Sequence, residues 1–122
     1  MIKFNESTPI YMQIIQKIKA DIVAGKLKGG EKMLSVREFS ESFKVNPNTV
    51  QRVFQELERE GITYSQRGIG TFIVDSDELL NQLKNTQAQK YAKRFVDEMT
   101  ELGMSKEEIS KYLIKVLGGI KK

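Results

Sequence analysis

Six polar side chains within ten positions carry most of the chemistry this chain can offer: Asn46, Asn48, Thr49, Gln51, Arg52 and Gln55. An Asn or Gln amide holds a donor and an acceptor side by side, which matches the edge of adenine. An Arg fork matches guanine O6 and N7. Asn46-Pro47 reads as a helix N-cap followed by its first helical residue. From there Val50, Val53, Phe54 and Leu57 recur at helical spacing and form a stripe to be buried, with the six polar residues lying off it. An ordinary solvated face would also be polar, but such faces favour Glu and Lys. Neither occurs in this helix before Glu56. A carboxylate there would repel phosphate, so its omission favours a face turned towards nucleic acid.

The flanking elements must position that helix. Ser35-Val36-Arg37-Glu38 has the capping-box pattern and opens a short helix, with Val36, Phe39 and Phe43 facing inward. Lys44-Val45 turns the chain, and Val45 plugs the angle between the two helices. Upstream, a first helix begins at Pro9 with Thr8 as its cap. Ile10, Ile14, Ile18 and Ile22 recur every four residues, Ile15 and Val23 widen the stripe, and Gly25 stops it. Leu27 to Lys32 is a turn-rich connection containing Gly29-Gly30. Downstream of Gly61, Ile62 to Gln66 and Thr71 to Val74 read as short strands joined by Arg67-Gly68-Ile69-Gly70. This order is that of a winged helix-turn-helix, which sets one helix in the DNA major groove and a hairpin beside it.

Phosphate contacts are then expected from Arg37, from Ser35 at a helix N-terminus, from Lys44, and from Arg67-Gly68 at the wing tip. Arg37 has a competing partner in Glu41, four residues on. Gly68 also serves the hairpin turn itself. Gly68-Ile69-Gly70 lacks the spacing of a nucleotide-binding loop.

Beyond the wing, Asp75-Ser76-Asp77-Glu78 caps a long helix with acids at its positive end. Its apolar stripe is interrupted near Asn85-Thr86-Gln87, where a kink or exposed turn is expected, and Gly103 ends it. Ser105-Lys106-Glu107-Glu108 is a second capping box, opening a last helix that ends at Gly118-Gly119. Lys121-Lys122 form a loose tail. Residues 77–122 are too few to bury a core alone. Their apolar faces need cover from the first helix or from a second copy of the chain. Leu83, Tyr91, Phe95, Met99, Ile109, Tyr112, Leu113 and Val116 are the expected dimer contacts. The fold class is therefore mainly α with a small β-hairpin: a winged helix-turn-helix over residues 1–75 and a helical dimerisation segment over 76–122.

Composition bounds the alternatives. The 122 residues are 39% hydrophobic and carry 20 Lys+Arg against 16 Asp+Glu, net +4. Residues 1–76 and 77–122 each hold +2, so no polybasic tail exists and DNA specificity must come from placed side chains. The chain has no Cys and no His. That removes disulfides, thiolate metal sites and the commonest general base. Glu107-Glu108 and Asp97-Glu98 read as solvated helix surface. No catalytic residue, cofactor or metal site is expected. Met1 to Glu6 is not a signal peptide, and no apolar run approaches membrane-spanning length, so a cytoplasmic protein is expected.

The chain resembles the GntR family of bacterial transcriptional regulators, in its short YtrA-like branch. Pro9-Ile10-Tyr11-Met12-Gln13-Ile14 resembles that branch's opening helix, and Gly30 to Glu38 the family's approach to helix two. Val45-Asn46-Pro47-Asn48-Thr49-Val50 and Leu57 to Gly61 resemble the recognition helix, and Gly68 to Val74 the wing. The match is dense over residues 8–74; beyond residue 77 it is one of length and helix pattern. The family's Leu-Pro-Ser before the helix-two Arg is here Met33-Leu34-Ser35. Positions where members with large effector domains often carry Arg are here Pro47 and Gln51, so operator preference does not transfer from them. The resemblance implies a regulator, most often a repressor, that binds double-stranded DNA as a homodimer on a pseudopalindromic operator. It also implies target genes beside ABC-type transporters. It leaves open whether a small effector binds. A docking module for another protein would need an apolar patch on helix three. An RNA binder would need exposed aromatics, for which Tyr64 is the one wing candidate.

Overall fold

The computed structural model describes residues 7–120; the expected tail at Lys121-Lys122 lies outside them. Contacts divide the chain into one compact unit ending at Lys84 and a second beginning at Asn85.

The first unit opens with α1, Ile10–Val23. Pro9 is its N-cap rather than its first residue, because Pro9 keeps an extended ψ of 141°. Thr8 does not cap the helix; its carbonyl instead accepts from the Gln13 amide at 2.7 Å. Gly25, at φ +80°, ends the helix as expected. Helix α2, Val36–Phe43, carries the full Ser35/Glu38 capping box. Helix α3, Pro47–Arg59, starts under Asn46, whose side chain accepts from the Asn48 N–H at 2.8 Å. Strands β1, Thr63–Gln66, and β2, Gly70–Ile73, pair antiparallel with Tyr64 opposite Phe72. Ile62 and Val74, expected inside the strands, extend the ladder by one bond, Val74 N–H to the Ile62 carbonyl at 2.9 Å.

A third extended segment was not expected. Gly30 N–H donates to the Ile73 carbonyl, Ile73 N–H to that of Glu31, and Met33 N–H to that of Thr71, at 2.8, 2.9 and 2.8 Å. This stretch satisfies the outer edge of β2. It reads as loop in the sequence because its only signal is Gly29-Gly30.

The core of this unit is apolar and continuous. Ile14, Val50, Val53 and Leu57 are fully buried, with Ile62 and Ile73 from the hairpin sealing one side. Phe39 packs edge-on against Phe54, with ring centroids 6.1 Å apart, which ties α2 to α3. Helix α1 is joined to α3 by Tyr11–Arg52 and by Lys19–Glu60, two side-chain pairs with the same offset of 41 positions. The two helices therefore run side by side in the same direction.

Helix α4 spans Asp77–Glu101 and begins under Ser76, whose hydroxyl accepts from the Leu79 N–H at 3.2 Å. It is unbroken at Asn85-Thr86-Gln87, where a kink or exposed turn was expected, and Gln87 is buried. A polar residue at an inward position removes the apolar signal without breaking the backbone ladder. Helix α5, Lys106–Gly118, carries the Ser105/Glu108 capping box as expected.

Gly29 shows how tightly the 27–30 connection is held. A Cβ there would sit 2.7 Å from the Asp75 Cα, a backbone atom that cannot step aside. Gly29→Ala is expected to destabilise the fold by about 1–3 kcal/mol, measured by thermal or urea unfolding.

Candidate nucleic-acid interface

The turn between α2 and α3 sets the angle of the outer helix. Ser40 controls it from both ends: its carbonyl accepts from the Lys44 and Val45 N–H groups, and its hydroxyl donates to the Val45 carbonyl at 2.5 Å. Lys44 takes a left-handed conformation, φ 54° and ψ 48°, the one non-glycine residue to do so among those described. Val45 is buried in the core, as its place in the sequence implied.

With Val50, Val53 and Leu57 turned inward, α3 exposes Asn46, Asn48, Gln51, Arg52 and Gln55, while Thr49 is half-buried. These six side chains share the N-terminal two-thirds of one helix, as expected. Glu56, the first carboxylate along α3, accepts from Arg59 Nε at 3.0 Å and Nη2 at 2.6 Å. The Arg59 hydrogen bond is the main cause that lowers the Glu56 pKa below its ordinary value. That carboxylate is thus ionised but already matched by a cation of its own helix.

Arg52 does not point freely into solvent. Its Nη2 donates to the Tyr11 hydroxyl at 3.1 Å, and its guanidinium carbon lies 3.8 Å from the centre of the Tyr11 ring. Sequence reasoning missed Tyr11, because the partners lie 41 positions apart and no local pattern joins them.

On α2, Arg37 follows the Ser35 cap. Its contact with Glu41 is long, 3.8 Å, between side chains 90% and 70% exposed, so the expected i,i+4 pair hardly restrains it. Glu38 secures the cap: its carboxylate accepts from the Ser35 N–H at 2.9 Å while the Ser35 hydroxyl accepts from the Glu38 N–H at 3.0 Å. These bonds to Ser35, backbone first, lower the Glu38 pKa, with Lys32 adding a weaker attraction. The stabilisation is present above the ordinary carboxylate range and fades as pH falls through the lowered value.

At the hairpin, Arg67 and Gly68 are exposed at the tip, and Gly68 has φ +79°. Gly70, at φ +146°, lies beneath the Lys32 side chain; a Cβ there would come within 2.7 Å of Lys32 Cε. Lys32, its backbone bridged to Phe72, thereby reaches along the wing towards the turn as a further exposed cation, and no sequence pattern singles it out. Tyr64 stacks across the strands on Phe72, with centroids 5.6 Å apart, so one ring face is already covered.

The expected dimer contacts divide. Leu83 belongs to the core of the first unit, and Ile109 is buried within the second. Both are correct as apolar positions but are not offered to a partner, because the chain's own packing covers them. Phe95 and Met99 are half-buried, and Tyr91, Tyr112, Leu113 and Val116 are exposed. Ile114, Leu117 and Ile120 join them as exposed apolar residues that the expected set omitted. No helix among the described residues is long and apolar enough to cross a membrane.

This arrangement agrees with comparisons to known proteins. The model of bacterial regulatory proteins of the gntR family matches residues 10–73. The chain is 44% identical to the uncharacterised regulator YhcF of Bacillus subtilis, over 88% of each chain. It is 36% identical to the transcriptional repressor YtrA of the same organism, over 94% of this chain and 89% of that one. A solved GntR family regulator from Listeria monocytogenes superposes with a TM-score of 0.83 at 40% identity, covering 92% of this chain and 98% of that one. The DNA-binding domain of AraR, solved in complex with an operator, superposes with a TM-score of 0.54 at 27% identity, covering 61% of this chain and 93% of that one. The chain belongs to the GntR family of bacterial regulatory proteins and is a DNA-binding transcriptional regulator with a winged helix-turn-helix.

Proposed function

We propose that the chain is a homodimeric, cytoplasmic repressor that reads a two-fold-symmetric operator with the outer face of α3, and that its target genes include those of a transporter. The observation that carries the base-reading role is the face itself. Asn48, Gln51 and Gln55 stand exposed on one helix with no carboxylate before Glu56, and Glu56 is matched by Arg59. In a dimer, two copies of α3 enter successive major grooves about one helical turn apart.

The residues divide into two roles. Asn46, Asn48, Thr49, Gln51, Arg52 and Gln55 face the bases. Ser35, Arg37, Lys44, Arg67 and Gly68 hold the phosphate backbone, with Lys32 added on the wing. Lys44 supports this division. A left-handed lysine costs about 1–2 kcal/mol relative to a relaxed backbone, and strain of this kind concentrates where a side chain has a task. Exposed Tyr91, Tyr112, Leu113, Val116 and Leu117 on α4 and α5, with Ile120 just beyond, support a symmetric dimer, since apolar surface of this density calls for a partner. A protein-docking role for α3 has no such support, because its outer face is polar throughout.

Selection of bound duplexes from a random pool tests the proposal: a two-fold-symmetric site strongly preferred over scrambled DNA supports it, and binding without preference contradicts it. Arg37→Ala is expected to weaken binding to selected and scrambled DNA alike and to lower the salt slope by about one; an unchanged slope argues against a phosphate contact. Gln51→Ala or Asn48→Ala is expected to cost about 1–3 kcal/mol on the selected site with little change on scrambled DNA. Lys44→Gly is expected to raise stability by up to about 1 kcal/mol yet weaken DNA binding, as followed by thermal unfolding and titration on the same preparation.

A further inference from the structure

We propose that Tyr11 is a specificity-determining positioning residue: it presets the Arg52 guanidinium for its contact with DNA. This rests on the reading of α3 as the base-reading helix and adds a residue from α1 to it.

An exposed arginine normally samples many rotamers, and ordering it on DNA has an entropic cost. Here the order exists beforehand. The guanidinium carbon stands over the Tyr11 ring, 3.8 Å from its centre, and Nη2 donates to the Tyr11 hydroxyl at 3.1 Å. That bond uses one N–H of the guanidinium, and the two contacts together restrict where the fork can stand. Nε, Nη1 and the second Nη2 hydrogen are left for a bidentate contact with a guanine edge.

Two further observations separate this from casual packing. Arg52 has a natural competitor in Glu56, four residues along the same helix, but Glu56 is held by Arg59 through two hydrogen bonds. Arg52 is thereby left to Tyr11. The platform is also fixed. Tyr11 is half-buried against the core, and eight residues further on Lys19 bonds Glu60 at 2.8 Å, which clamps α1 alongside α3. Packing alone would be met by any apolar residue at position 11; the hydroxyl and the ring plane are what Arg52 uses.

The test is a double-mutant cycle on the full chain. Wild type, Tyr11→Phe, Tyr11→Leu, Arg52→Ala and both Tyr11 variants combined with Arg52→Ala are titrated against a duplex selected from a random pool and its scrambled counterpart, with thermal unfolding alongside. Tyr11→Leu is expected to lose about tenfold in preference for the selected duplex, and Tyr11→Phe, which keeps the ring but not the hydrogen bond, about threefold. Neither change costs further preference once Arg52 is alanine. Equal weakening on both duplexes, or a loss that persists in the Arg52→Ala background, overturns the proposal and leaves Tyr11 a packing residue. Should the leucine variant not fold, the Tyr11→Phe arm decides by the same criterion. A wild type without preference overturns the base-reading role of α3 and this proposal together, whereas a preference that survives both Tyr11 changes overturns this proposal alone.

Discussion

The structure depends on one burial: Val50, Val53 and Leu57 of α3 pressed fully into the core against α1 and the root of the hairpin. Three apolar residues at helical spacing fix the rotation of a 13-residue helix. Once they face inward, Asn48, Gln51, Arg52 and Gln55 must face outward. The same constraint that stabilises the unit therefore aims the polar face. A change that loosened the stripe would also blur the direction of every side chain on the other side.

The remaining elements restrict the freedom that this burial leaves. The Ser35/Glu38 cap fixes where α2 starts, and the Ser40 bonds to residues 44 and 45 fix the turn after it. Asn46-Pro47 starts α3 without waste of an amide donor, since proline has none. The 30–33 segment closes the open edge of β2 and brings Lys32 across Gly70. Each device is local and small, but together they hold the exposed helix, the cap and the wing within one compact unit.

Much of this was legible in the sequence because its signals are local. Capping boxes, Asn-Pro starts and glycine stops each act within four residues, and they placed α2, α3, α4 and α5 closely. The polar face of α3 followed from the period of Val50, Val53 and Leu57. What was not legible depends on distant partners. The Tyr11–Arg52 contact joins positions 41 apart, and the edge pairing of Glu31 and Met33 depends on a strand about forty residues downstream. Burial within the chain was also hidden: Leu83 and Ile109 have the same apolar character as Leu113 and Val116, and only packing tells which are covered. The uninterrupted α4 at Gln87 shows the converse, an inward polar residue that mimics a break.

The measurement that tests the central claim most directly is the NMR response of the side-chain amides of Asn48, Gln51 and Gln55 to a selected duplex and to a scrambled one. Base readout by the outer face of α3 predicts large shifts and slowed exchange of these amides on the selected duplex and little change on the scrambled one. Equal responses on both duplexes, or responses confined to α4 and α5, would contradict it.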